Sequence, residues 1–68
     1  MAYFRGDEIE VTIDREGLGS DEGIAHLPDE TMVVIVGAGG MVGESVLATV
    51  VNIQQTPLGA SLLANAKM

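Results

Sequence analysis

At 68 residues and 7.1 kDa the chain has room for one small domain but not for a catalytic domain with its own cleft, and without cysteine it has no disulfide framework to supplement its core. An apolar fraction of 47% beside 19% charged residues excludes a disordered chain. Ten acids against three bases leave a formal charge of −7, which excludes tight, charge-driven binding to a long polyanion.

Along the chain, residues 1–10 carry Arg5, Asp7, Glu8 and Glu10, so no apolar stretch of signal-peptide type is present. Residues 8–14 alternate strictly, with Ile9, Val11 and Ile13 on one side, the pattern of a half-buried strand. Residues 15–22, holding Gly17, Gly19, Ser20 and Asp21, read as a loop. A second strand is predicted over 23–27, with Ile24 facing inward, and Pro28, Asp29 and Glu30 supply a tight turn. Residues 31–36 are rich in β-branched side chains and read as a third strand.

Glycines at 37, 39, 40 and 43 make a flexible connection that ends at Glu44, the last acidic residue. Residues 46–53 are apolar on both alternate faces except at Thr49 and Asn52, so periodicity alone cannot separate strand from helix. Their β-branched content favours a strand. A turn around Pro57 and a last strand over 60–66 complete the order, with the ends, 1–5 and 65–68, expected to be flexible. The prediction is one all-β domain over 1–68, a small five-stranded β-barrel. The uncharged run 45–66 has polar residues and a proline at its middle, so no membrane segment is expected.

A competing pattern lies at residues 33–43, where an apolar run followed by Gly37, Gly39 and Gly43 imitates the phosphate turn of a dinucleotide-binding unit. Such a unit needs a helix next and an acidic residue ~20 positions on for the ribose. Nothing after Glu44 is acidic, and only the 25 residues 44–68 remain. A loop between two strands is therefore the favoured reading, and no cofactor is expected.

The order of several pieces resembles a TRAM domain, most closely the C-terminal TRAM module of bacterial PIN-TRAM proteins. These pieces are Gly6-Asp7-Glu8, Arg15-Glu16-Gly17, the stretch from Glu22-Gly23-Ile24-Ala25-His26-Leu27-Pro28 to Val34, then Val42-Gly43-Glu44, Gln55-Thr56 and Gly59. The resemblance implies an OB-like barrel and RNA or tRNA binding. OB-type barrels hold single strands through a positive groove with stacking surfaces. Here Ala25-His26 stands where PIN-associated members typically show Gly-Tyr, and the last strand lacks the arginine and aromatic often found there.

The residues left to contact a nucleic acid are Arg5, Arg15, His26, Gly39, Gly40, Gln54, Gln55 and Lys67, the glycines through backbone amides. Tyr3 and Phe4 can stack on bases, but plugging the barrel end is the favoured role for both. Arg5 and Arg15 have Asp7 and Glu16 nearby as ordinary ion-pair partners. His26, the one histidine, is expected inward or at the rim, in a structural role. Without cysteine or a second histidine no metal site is expected, and no nucleophile, base and orienting group come together.

A small, non-catalytic RNA-binding module with weak phosphate contacts is the expectation. The alternative is a protein-interaction or oligomerising barrel that has lost RNA binding, a homodimer being suggested by the apolar surplus of the last third. The resemblance implies a partner nuclease domain that the barrel would target or dock. The lack of cysteine suits a reducing, cytoplasmic setting.

Overall fold

The alternation that begins at Glu8 ends in a bend, and a second, short strand follows it. In the computed structural model, which describes residues 3–67, β1 (Glu8–Thr12) is followed at once by the short β2 (Arg15–Glu16). β3 (Glu22–His26), β4 (Met32–Val36), β5 (Ser45–Thr56) and β6 (Gly59–Ala66) complete a single sheet in the order β1-β5-β6-β4-β3-β2. Neighbours are antiparallel except β4 and β6, which run parallel.

β1 and β2 are consecutive in the chain yet stand at opposite ends of that order. β1 pairs with β5 from Glu8↔Thr49 to Thr12↔Ser45, and β2 pairs with β3 at Arg15↔Ile24 and Glu16↔Gly23. The bend between them is bonded on both sides. Asp14 N donates to Ile24 O at 2.7 Å, Ile13 N to Glu44 O at 3.0 Å, and Gly43 N to Ile13 O at 2.8 Å. One bent segment thus joins both edges of the sheet, which curls into a small all-β, OB-like barrel. The five expected strands become six because Arg15 and Glu16, expected in a loop, pair with β3 as β2.

Alternate residues of the strands meet in an all-apolar core that includes Val11, Ile13, Val33, Ile35 and Val50, with no polar side chain buried among the described residues. Two expectations about facing are corrected. On β3 it is Gly23 and Ala25 that turn inward, so Ile24 and His26 lie on the outer surface. Gly23 sits under the bend: a Cβ there would stand 2.8 Å from Ile13 Cγ2 and 3.0 Å from the Ala38 carbonyl oxygen, so only glycine lets the two segments approach. On β5 a register shift between Val50 and Asn52 leaves Val51 without a partner. This bulge turns Val51 and Asn52 outward in succession and returns Ile53 to the core, which is why neither period fits the sequence there.

Residues 45–56 are strand and among the described residues no helix follows the glycine loop, so the dinucleotide-binding reading is excluded. β5 continues to Thr56, and the expected turn around Pro57 contracts to Pro57 and Leu58. The turn between β3 and β4 is closed by Glu30 N to Leu27 O at 2.8 Å and Leu27 N to Thr31 O at 2.9 Å. Hydrogen bonds from the Thr31 side chain and amide hold the Asp29 carboxyl below its ordinary range. Glu30 takes a left-handed backbone, φ 72°, where a side chain is strained.

Two substitutions test this reading in opposite directions. Gly23→Ala is expected to lower unfolding free energy by about 1–3 kcal/mol through overpacking at the bend. Glu30→Gly is expected to raise it by about 1 kcal/mol by relieving the left-handed position. Urea denaturation measures both, and equal or reversed signs would contradict the assignment.

Candidate nucleic-acid interface

Because side chains alternate along each strand, pairing register lines up the outward ones into transverse rows. One row runs Arg15, Ile24, Val34, Leu63, Asn52 across β2, β3, β4, β6 and β5. At ~4.8 Å per strand its four pairings cover about 19 Å of surface. Arg5 Nη2 donates to Asn52 Oδ1 at 3.5 Å, so an arginine stands at each end. No carboxylate lies on the row between them. Beside it a second row runs His26, Met32, Ser61, Gln54. A shallow groove of about 200 Å³ opens between the two, lined by Val34, Leu62, Leu63, Asn52, Gln54 and Ser61.

The acids are largely engaged within the chain. Asp7 Oδ2 accepts from Phe4 N at 2.9 Å, Glu22 Oε1 from Gly19 N at 3.1 Å, and Asp29 Oδ1 from Thr31 N at 3.1 Å. Glu16 takes the Gly40 amide on both oxygens, at 2.8 and 3.1 Å. Asp14 Oδ2 lies 2.7 Å from His26 Nδ1, and Glu8 pairs with Lys67. Six of the ten carboxylates therefore cap turns or hold a neighbour, Glu8, Glu16 and Glu22 from strand positions, Asp7 from just before β1, and Asp14 and Asp29 from the bends between strands.

The family model of the TRAM domain matches residues 3–63. The chain belongs to the TRAM domain family. It is 29% identical over 63 residues to the "Uncharacterized PIN and TRAM-domain containing protein YacL" of Bacillus subtilis (strain 168). The match covers 93% of this chain but 17% of that protein's length. No solved structure matches.

Within this TRAM domain the expected contact residues divide by position. Arg5, Arg15 and Gln54 are exposed and belong to the rows and groove just described. His26 lies on the second row, its ring against Asp14, facing solvent instead of the core. Gln55, also exposed, pairs across the hairpin with Ala60, outside the groove lining. Gly39 packs on Ser20 and Asp21, and the Gly40 amide is held by Glu16, so the glycine loop presents a carboxylate where free amides were expected. Lys67, just past the end of β6, is held by Glu8.

Tyr3 packs against the core, and desolvation followed by the charge of Asp29 raises its hydroxyl pKa. Phe4 is 64% exposed, so of the two aromatics expected to plug the barrel only Tyr3 packs on the core. Asn52 and Ser61 escaped the sequence reading. The one usable signal was Asn52 interrupting an otherwise apolar run, a mark of an outward position beside a bulge.

The Glu16 contact is open to direct measurement. In Glu16→Ala the Gly40 amide is expected to exchange with solvent about tenfold faster, while core amides such as that of Ile35 keep their rates. Unchanged Gly40 exchange, followed by NMR, would show that the carboxylate does not hold the loop.

Proposed function

We propose that this TRAM domain is a non-catalytic RNA-binding module that takes single-stranded RNA, including unpaired segments of tRNA, along the outer row from Arg15 to Arg5. The observation that carries the reading is the row itself, an arginine at each end and no carboxylate between, in a chain of formal charge −7. Family membership supports the same reading, since nucleic-acid binding is the usual activity of TRAM domains. Two guanidinium groups reach two or so phosphates, and neutral side chains between them suit bases better than backbone. Among the described residues no group of three or more His, Cys, Asp and Glu is placed to hold a metal ion, and the two-row surface carries no nucleophile beside a base.

In a longer chain such as the relative's, the barrel would serve as the targeting element beside a PIN domain, the partner nuclease expected from the sequence. A second reading, a homodimer, is favoured by Leu47 and Val51, which are 42% and 37% exposed on the outer side of β5. Sedimentation at rising concentration distinguishes the two, a monomer throughout removing the second.

Titration of a labelled, unstructured RNA at several salt concentrations tests the main reading. With about two phosphates neutralised, log K is expected to fall with log salt at a slope near −1.4, and Arg5→Ala or Arg15→Ala to flatten it by about 0.7 each. No binding at low ionic strength by the folded domain would contradict the proposal.

A further inference from the structure

The groove over β4, β5 and β6 combines two kinds of surface. Val34 and Leu63, opposite each other in register, supply apolar area, Leu63 being 38% exposed. Asn52, Gln54 and Ser61 border them with amides and a hydroxyl. The bulge at Val51 makes this possible, because it swings Asn52 outward to stand opposite Leu63.

The Asn52 amide is oriented. Its Oδ1 accepts from Ile53 N at 2.9 Å and from Arg5 Nη2 at 3.5 Å, which leaves its NH₂ group as a donor to the groove. Among the described residues no hydrogen bond engages the Gln54 amide or the Ser61 hydroxyl. The site therefore offers an apolar bed, donors and acceptors without partners, and a guanidinium at its border.

That combination matches a nucleobase, which has apolar faces, a donor and acceptor edge, and a phosphate one linkage away. The geometry points to this groove as the seat of one unpaired base of a single-stranded RNA. The base lies on Val34 and Leu63, its edge meets Asn52, Gln54 and Ser61, and Arg5 takes the adjoining phosphate. This assignment rests on the RNA-binding reading and adds to it a base-recognising subsite, which a purely electrostatic contact would lack. Charge complementarity favours RNA over an acidic or neutral peptide here, since the arginines bracket the site and no carboxylate lines it.

The test uses the 68-residue chain with two probes, a short oligouridylate and an oligomer of equal length and charge with abasic central positions. The base-bearing oligomer is expected to bind about tenfold more tightly. In ¹⁵N spectra the side-chain amide signals of Asn52 and Gln54 are expected to shift with it and not with the abasic probe. Leu63→Asp is expected to weaken binding about tenfold, while Leu47→Asp, which adds the same charge elsewhere on the outer side of β5, costs about twofold or less. Gln54→Ala, at an exposed position that leaves the core intact, is expected to weaken binding about fivefold.

Equal affinity for the two probes would overturn the base site while leaving RNA binding standing, as would equal losses from the two aspartates. If the wild-type chain binds neither probe at low salt, both readings fall. Groove signals that respond only to an added peptide would also overturn the assignment.

Discussion

The barrel depends on one continuous stretch, residues 8–16, bonding to both edges of the same sheet. β1 meets β5, β2 meets β3, and the Asp14 amide between them reaches the carbonyl of Ile24. A chain with so small a core and no disulfide needs this segment, because the four strands β5-β6-β4-β3 alone would leave both edges of their sheet unpaired in water. The approach is tight enough to require Gly23 beneath Ile13, and Ile13 is itself almost wholly buried at the bend. Gly43, with φ 88°, brings the end of the glycine loop round so that its amide can bond to Ile13.

Under the proposed reading, the same folding leaves an acidic chain with a surface to offer a nucleic acid. The turns and the bend need acceptors for backbone amides, and Asp7, Glu16, Glu22 and Asp29 supply them. Glu16 and Glu22 do this from strand positions off the transverse row, and the row itself keeps neutral side chains, Ile24, Val34 and Leu63, between Arg15 and Asn52. Net charge describes the whole molecule; the rows describe the surface a ligand would meet. Under the proposed reading the row weighs more than the distant charges, which are largely screened beyond the ~8–10 Å Debye length, while Asp14 lies close by, against His26 of the neighbouring row.

Much of the fold was legible in the sequence for simple reasons. Strict alternation exposed β1, β-branched density exposed β4, and Pro28 with Asp29 marked the turn between β3 and β4. The order of TRAM-like pieces joined them into a barrel. What escaped depends on contacts distant in the chain. Arg15 and Glu16 look like loop residues until the edge of β3 arrives to pair with them. Ile24 is the larger side chain, yet Ala25 faces inward, because only glycine at 23 leaves room beneath Ile13 and strand alternation then turns Ala25 to the same side. The bulge at Val51 is invisible to any fixed period. The candidate site was only half legible for the same reason: Arg5, Arg15 and Gln54 could be named by type, but Asn52, Ser61 and Leu63 join them only through register across five strands.

The most direct measurement is a nuclear Overhauser spectrum of the labelled domain combined with amide exchange. Closure predicts, in one sample, backbone contacts between Val11 and Val46 and between Arg15 and Ile24, with the Asp14 amide protected. Contacts on the β5 side alone, with Arg15 and Glu16 free of β3 and Asp14 exchanging rapidly, would show an open sheet and contradict the account.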